Sequence, residues 1–189
     1  MDAMERSRRI REEADVVMRA IGLHHALAPC GQISLTGSYY LDVMIYPDID
    51  LYVPKVSVAQ LFRAGGQLAA SELVYEVVFQ RSRVPELPGG LYLKPRIHYG
   101  NWGRPWKIDI WSVDDALIEE NMAILRHFQE GMTQEVREQI IRFKYAILTD
   151  KHRTPMHSGY WVYKAFIDEG LSEHGEVVRY LIDHGIALG

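Results

Sequence analysis

The strongest constraint on this chain is a strand pattern that carries two acids, Asp48-Ile49-Asp50-Leu51-Tyr52-Val53. In an extended strand alternate side chains share a face, so Asp48 and Asp50 project together, away from Ile49 and Leu51. Like charges on one face repel each other, and a purely structural strand has no reason to accept this repulsion. Mg²⁺ takes oxygen ligands and favours one or two carboxylates together with substrate phosphates. The pattern therefore indicates a cation site on one face of a sheet.

A short strand ending in a Gly-Ser turn precedes this pattern. The sequence predicts a strand over 33–36, followed by a helix over 39–45 with Ser38 as its N-cap. A helix N-terminus offers unpaired N–H groups and a partial positive charge, both of which suit a phosphate. The alternative is that Ser38 only caps the helix. We favour the phosphate role because the two acids lie nearby.

These residues carry a family resemblance. Gly37-Ser38, nine residues, and then Asp-hydrophobic-Asp-hydrophobic resembles the nucleotidyltransferase superfamily of the DNA polymerase beta type. That family has a third acid between hydrophobic residues on a later strand, and Asp109 in Lys107-Ile108-Asp109-Ile110-Trp111 matches it. The resemblance extends over residues 33–113. The chain departs from the family at Tyr39-Tyr40, where a basic residue is common, and at Pro47, where a Ser is common.

The resemblance implies a fold and an activity. The fold would be α/β (α+β), a mixed nucleotidyltransferase-type sheet of about five strands flanked by helices, with the acids on its open side. The activity would be metal-dependent transfer of a nucleoside monophosphate from an NTP to an acceptor hydroxyl. Asp48, Asp50 and Asp109 would be the catalytic residues and the ligands of Mg²⁺ or Mn²⁺, with Asp109 helping to deprotonate the acceptor. Gly37 and Ser38 would bind the terminal phosphates.

A hairpin is expected to bring cations to the acids. The pattern predicts strands over 91–99 and 106–113, which would project Lys94, Arg96 and Lys107 to the side of Asp109. Cations beside a metal-holding acid suit a polyphosphate, so we interpret these three residues as nucleotide-binding. The alternative is a solvated polar face of the sheet. Pro95 predicts a sheet edge or a bulge in the first of these strands.

The rest of the chain is mainly helical in pattern. Apolar spacing predicts a helix over 2–22 and another over 57–71 capped by Ser57. Residues 74–79, which are rich in β-branched side chains, are predicted to form a strand. After residue 115 the predicted helices are 116–129, 135–148, 158–169 and 172–184. We therefore expect a nucleotidyltransferase-like core over 1–114 and a helical C-terminal region over 115–189.

Composition limits the partners. The net charge of −4 argues against bulk nucleic-acid binding, and the single Cys30 excludes an internal disulfide and a cysteine-based zinc site. No apolar run approaches the length of a membrane span, and the first residues lack the apolar segment of a signal peptide. We expect a cytoplasmic protein whose partners are an NTP and an acceptor, for which a small molecule fits best.

Two other functions stay open at this point. A catalytically degenerate binding or regulatory module on the same fold is favoured by the missing basic residue after Gly37-Ser38. The three acids favour catalysis, because a module that has lost catalytic activity does not need them. The acceptor would be a protein side chain if the chain resembles the small toxin–antitoxin relatives of the family.

Overall fold

The computed structural model describes residues 1–83, 85 and 87–187, and within them the chain forms one five-stranded sheet and eight α-helices. The strands are β1 Ser34–Thr36, β2 Asp48–Pro54, β3 Val74–Arg81, β4 Leu91–Ile97 and β5 Trp106–Val113. The helices are α1 Ala3–Ala20, α2 Leu23–Leu27, α3 Gly37–Tyr40, α4 Val58–Ala69, α5 Asp115–Gly131, α6 Gln134–Ala146, α7 Ser158–Ile167 and α8 His174–Asp183. A 3₁₀ turn over Ala28–Cys30 follows α2.

The sheet is mixed, as predicted. Its strand order is β1-β2-β5-β4-β3, in which β2 and β5 are parallel and the other neighbours are antiparallel. The fold class is therefore the α/β arrangement with a mixed sheet flanked by helices that the sequence indicated. The division into 1–114 and 115–189 stays a prediction, and residues 188 and 189 of the second part lie outside the described residues.

One face of the sheet forms a large apolar core. Ile49 and Leu51 of β2 and Ile108 and Ile110 of β5 are fully buried there, together with residues of α1, α2 and α4. Helix α4 begins at a capping box formed by Ser57 and Gln60. Because this face is filled by aliphatic side chains, the alternate residues of β2 and β5 must face the opposite side.

A second apolar cluster joins helices α5 to α8 to the segment that follows α3. Leu41, Val43 and Ile45 are almost completely inaccessible and pack with residues of these helices. The predicted helix over 39–45 is therefore wrong. The helix covers only Gly37–Tyr40, because the next residues leave helical geometry at Asp42, whose φ is 55°, and bury alternate side chains in this cluster.

Pro95 does not lie on a sheet edge, which corrects one of the two sequence interpretations. Strand β4 is an interior strand between β5 and β3, and Pro95 pairs with Val77 of β3. The pairs of β4 with β5 cover 91–93 and 96–97, so this ladder is interrupted at 94 and 95. Proline lacks the N–H that a continuous ladder requires, and the interruption accommodates it.

Glu13 ties the first helix to the sheet. Its Oε1 accepts hydrogen bonds from the indole N–H groups of Trp102 at 2.7 Å and Trp106 at 2.6 Å. A Cβ at Gly100 would collide with the same carboxylate. The segment that leads into β5 is therefore fixed by one half-buried acceptor.

Within the described residues no helix has both the length and the apolar character required to cross a bilayer.

We predict that Glu13→Ala lowers the free energy of unfolding by about 2–4 kcal/mol, because two buried indole donors lose a charged acceptor. Glu12→Ala is the matched control, since Glu12 is exposed on the same helix and forms an exposed ion pair with Arg8. Its expected effect is within about 0.5 kcal/mol. Urea unfolding of the three proteins measures both changes. Equal stability of the two variants would show that Glu13 does not fix this segment.

Candidate active site

The register of two parallel strands brings the three predicted acids together. Strands β2 and β5 pair so that Asp48 lies beside Lys107, and Asp50 beside Asp109. All these side chains face away from the apolar core, since Ile49, Leu51, Ile108 and Ile110 fill the other face. One carboxylate oxygen from each of Asp48, Asp50 and Asp109 lies within 4.8 Å of the other two. The three predicted acids therefore form one cluster.

Lys107 lies among these acids. Its Nζ is 2.8 Å from Asp48 Oδ1 and also donates a hydrogen bond to Asp109 Oδ2. Burial acts to lower the pKa of Lys107, but the carboxylates of Asp48 and Asp109 outweigh it and raise that pKa. The hydroxyl of Tyr92 donates to Asp109 Oδ1 at 2.5 Å. The ammonium group is thus the cation that neutralises the cluster in the metal-free protein.

Asp50 is held against the Gly37 turn. A Cβ at Gly37 would lie 2.8 Å from Asp50 Oδ2, and Gly37 has a φ of 59°, so both space and backbone conformation favour glycine here. Burial raises the pKa of Asp50 to about 8, and the charges of Asp48 and Asp109 add to this effect. Asp50 therefore carries a proton at neutral pH when no other cation is present.

The site fits a hard divalent cation. It offers three carboxylates, which are the ligands that Mg²⁺ and Mn²⁺ prefer. Asp48 Oδ1 is buried and accepts no well-aligned hydrogen bond from the described residues, although it is in ion-pair contact with Lys107. A metal entering here would replace the ammonium of Lys107 and the proton of Asp50 as the positive charges of the cluster.

A buried lysine that the sequence analysis did not single out lies behind the Gly-Ser turn. Lys144 of α6 is 1% exposed, and its Nζ donates to Ser38 Oγ at 2.8 Å and to Val43 O at 2.7 Å. It also lies 3.3 Å from the hydroxyl of Tyr163, which is 3.0 Å from Ser38 Oγ. Burial lowers the pKa of Lys144 to about 7, although Asp50 opposes the shift.

The prediction that Ser38 caps a helix through its side chain is wrong. Its hydroxyl accepts a hydrogen bond from Lys144, and α3 has no side-chain cap at its start.

The sequence contained a signal for the buried position of Lys144. Its spacing from the buried Ile140 and Ile141 places it on the apolar stripe of α6, where an unpaired lysine is unusual.

A cleft opens beside the acids. It has a volume of about 910 Å³, and its walls include Gly37 and Asp50 on one side and Tyr160 and Trp161 of α7 on the other. Trp111, two residues beyond Asp109 on β5, also lines it. The volume lies in the range of small-molecule sites, which is about 300–1,000 Å³. Asp50 thus stands at the wall of a cavity large enough for a nucleotide, with Asp48 and Asp109 next to it in the cluster.

The predicted basic residues occupy three different positions. Lys107 contacts the acids directly, as described above. Arg96 lies at the same side of the sheet but forms an ion pair with Glu76, with Nε 2.9 Å from Oε2. The ammonium of Lys94 lies 5.8 Å from the centre of the Tyr92 ring. The structure therefore brings one of the three cations to the carboxylates.

The fold has relatives among solved structures. The Cid1 poly(U) polymerase with MgGTP bound, a member of the nucleotidyltransferase superfamily, superposes with a TM-score of 0.51 at 14% sequence identity. The match covers 70% of this chain and 41% of the polymerase, so this chain corresponds to less than half of that protein. JHP933 from Helicobacter pylori matches over 92% of this chain and 73% of its own, with 11% identity and a TM-score of 0.38. No family model and no curated protein sequence matches the chain.

The comparison with the polymerase shows the fold. The five-stranded mixed sheet with its flanking helices is the nucleotidyltransferase-type fold, as the Gly-Ser and Asp-Ile-Asp pattern indicated. The cluster of Asp48, Asp50 and Asp109 lies on the open face of this sheet and has the composition of a divalent metal site.

We predict that the stability of the metal-free protein falls between about pH 4 and pH 8 through Asp50. Its pKa of about 8 in the folded state exceeds that of an unfolded aspartate, so the folded state binds the extra proton in this interval. Lys144 acts in the opposite direction above pH 7, because its folded-state pKa of about 7 lies below that of an unfolded lysine.

The measurement is urea unfolding in EDTA across this pH range for wild type and Asp50→Asn. The variant should gain stability over wild type progressively as the pH rises to about 8. Asp114→Asn is the control, because Asp114 is exposed and pairs with Lys55 at 3.0 Å. A constant difference between wild type and Asp50→Asn at every pH would contradict the elevated pKa.

Proposed function

We propose that the protein is a metal-dependent nucleotidyltransferase, which moves a nucleoside monophosphate from an NTP to the hydroxyl of an acceptor. The observation that carries this proposal is the convergence of Asp48, Asp50 and Asp109 within 4.8 Å on the open face of a nucleotidyltransferase-type sheet. The solved polymerase of the same fold has MgGTP bound, which is in keeping with the proposal.

The cleft is the proposed site of the NTP. Its wall includes Gly37 and Asp50, so a triphosphate in the cleft lies next to both the Gly-Ser turn and the acids. Gly37 offers a backbone N–H to the terminal phosphates, and a residue with a side chain would collide with Asp50. Ser38 is anchored from behind by a hydrogen bond from Lys144, which holds the turn in place.

Mg²⁺ or Mn²⁺ held by Asp48, Asp50 and Asp109 would neutralise phosphate charge and polarise the reacting oxygens. In the transfer, the acceptor oxygen forms a bond to the α-phosphorus of the NTP. The bond from that phosphorus to the oxygen bridging to the β-phosphate breaks, and pyrophosphate leaves with the electron pair. Asp109 takes the proton of the acceptor hydroxyl. Tyr92 orients Asp109 for this role through its hydrogen bond to Oδ1.

Lys107 has different proposed partners in the metal-free and the metal-bound protein. In the metal-free protein it neutralises Asp48 and Asp109. With a divalent cation held by the acids, the Lys107 ammonium would be free to contact the phosphate oxygens. Arg96 and Lys94 lie on the same face of the sheet and complete the proposed set of nucleotide-binding cations. An ammonium in this position adds charge where negative charge accumulates during the transfer.

One observation favours a second candidate, a binding module on the same fold that has lost catalysis. Lys107 already neutralises the acid cluster, which is what such a module requires of a site that no longer takes a metal. The two candidates differ in whether a divalent cation and an NTP bind together at the acids. For the active enzyme the proposed acceptor is a small molecule, in line with the net charge of −4; a protein side chain is the other acceptor class.

We predict that the wild-type protein binds a nonhydrolysable NTP only with Mn²⁺ or Mg²⁺, and that Asp50→Asn lowers this affinity at least tenfold, a change of about 1.4 kcal/mol. The physical reason is the loss of a carboxylate ligand at the site. Calorimetric titration in the presence of metal and in EDTA measures it. Asp114→Asn is again the control and should bind like wild type, since Asp114 lies outside the cluster.

Two outcomes of this titration decide between the candidates. NTP binding that needs the metal and Asp50, accompanied by pyrophosphate release when an acceptor is supplied, supports the enzyme. NTP binding that is equally tight in EDTA and in Asp50→Asn excludes a catalytic metal at these acids and favours the module.

A further inference from the structure

A compact basic pocket lies on the other side of the acids from the cleft. Its volume is about 230 Å³, and it is lined by Arg96, Arg104, Pro105, Lys107, Lys151 and Arg153. Along β5, Lys107 precedes Asp109 and borders this pocket, whereas Trp111 follows Asp109 and borders the cleft. The acid cluster therefore stands between two cavities, of which the NTP needs only one.

Three of the five cations in the pocket have no acidic partner among the residues that the structure describes. Arg96 pairs with Glu76, and Lys107 with the catalytic acids. Within the described part of the chain, Arg104, Lys151 and Arg153 form no ion pair with a carboxylate. The chain as a whole carries a net charge of −4, so this concentration of positive charge is local. Like charges gathered in one cavity repel each other unless an anion lies among them.

Arg104 lines the pocket and has a nitrogen with no hydrogen-bond partner among the described residues. This nitrogen, Arg104 Nη1, is buried. Its guanidinium carbon lies 5.3 Å from the centre of the Tyr46 ring, which fixes the orientation of the side chain. Burial lowers the pKa of Arg104 and Arg153 adds to this, while Asp48 opposes it. A buried guanidinium with a free N–H group is a donor prepared for an anion.

The loop that supplies Lys151 and Arg153 is a closed turn. The backbone N–H and the hydroxyl of Thr149 donate to Arg153 O at 2.9 and 2.8 Å, and Arg153 Nε donates to Thr154 O at 3.1 Å. Thr154 in turn lies 3.3 Å from the hydroxyl of Tyr46 through its Oγ1. The pocket is therefore held between β4, the segment before β5 and a turn with its own hydrogen bonds.

We propose that Arg104, Lys151 and Arg153 of this basic pocket bind the phosphate group of a small phosphorylated acceptor, and that they thereby present the acceptor hydroxyl to Asp109. Arg96 and Lys107, at the border of the pocket, stay with the NTP phosphates. The inference rests on the proposed nucleotidyl transfer, whose chemistry leaves the phosphate in the pocket unchanged. Guanidinium groups are suited to phosphate because they offer several N–H donors in one plane. A pocket of about 230 Å³ accommodates such a group with a short carbon skeleton and is small for an extended polynucleotide.

The test titrates glycerol 3-phosphate into protein saturated with Mn²⁺ and a nonhydrolysable NTP, so that the cleft is filled. Glycerol is the uncharged control ligand. Lys151→Glu is the test variant, because Lys151 is exposed and its replacement leaves the fold intact. Arg63→Glu is the matched control. It makes the same change of charge at an exposed position of α4, a helix that packs on the opposite face of the sheet from the acids.

We expect glycerol 3-phosphate to bind wild type and Arg63→Glu equally, glycerol not to bind, and Lys151→Glu to lose at least tenfold in affinity. The three proteins should bind the NTP within about twofold of one another, because neither Lys151 nor Arg63 belongs to the proposed NTP-binding residues. Equal binding of glycerol 3-phosphate to wild type and Lys151→Glu, or no binding to either, would overturn the proposal.

Two further measurements distinguish a small phosphorylated acceptor from a nucleic acid in the pocket, and failure of this proposal from failure of the proposed function. A short oligoribonucleotide that binds more tightly than glycerol 3-phosphate, and loses that affinity in Lys151→Glu, would overturn the small acceptor and identify a nucleic acid as the occupant. If the NTP does not bind wild type, the proposed function fails. The same titration without NTP then shows whether the pocket binds phosphate on its own.

Discussion

Electrostatic repulsion among Asp48, Asp50 and Asp109 is the constraint on which the rest of this structure depends. Carboxylates within 4.8 Å of each other cannot all ionise without compensation, since each fully charged pair costs roughly 3 kcal/mol at the effective dielectric constant of a protein surface. The metal-free chain compensates in two ways. Lys107 inserts its ammonium between Asp48 and Asp109, and Asp50 keeps a proton. The proposed function requires a divalent cation to take the place of both, and a cluster of three carboxylates has the composition for this.

The surrounding structure maintains this arrangement. Parallel pairing of β2 with β5 sets Asp50 beside Asp109, and the buried aliphatic residues of both strands prevent a shift of register, since a slip of one residue would turn the acids into the core. Glycine at position 37 lets the turn after β1 approach Asp50. Lys144 joins that turn to α6, so the second half of the chain contributes directly to the shape of the site. The cleft and the basic pocket are consequences of where the strands end and which loops meet there.

The sequence predicted the parts of the site that depend on local periodicity. Alternation in β2 was enough to place Asp48 and Asp50 on one face. The family resemblance supplied Asp109, and the Gly-Ser spacing led to the correct fold. Lys107 was predicted on the acid face, but pattern alone gave no indication that it would lie between two carboxylates, because that depends on the pairing of two distant strands. The helix capped by Ser38 was wrong for a similar reason. Residues 41–45 have helical spacing, yet burial against α6 and α7 decides their conformation. Pro95 was misplaced because the ladder of β4 with β5 tolerates an interruption.

The central claim is that a divalent cation takes the place of the Lys107 ammonium among the three carboxylates. A crystal of the protein grown with Mn²⁺ and a nonhydrolysable NTP, measured near the manganese absorption edge, tests it directly. The account predicts an anomalous peak in contact with oxygens of Asp48 and Asp50, the Lys107 ammonium moved away from Asp48, and the triphosphate in the cleft next to Gly37. An NTP bound elsewhere, or Lys107 still between Asp48 and Asp109 with manganese absent from the cluster, would contradict it.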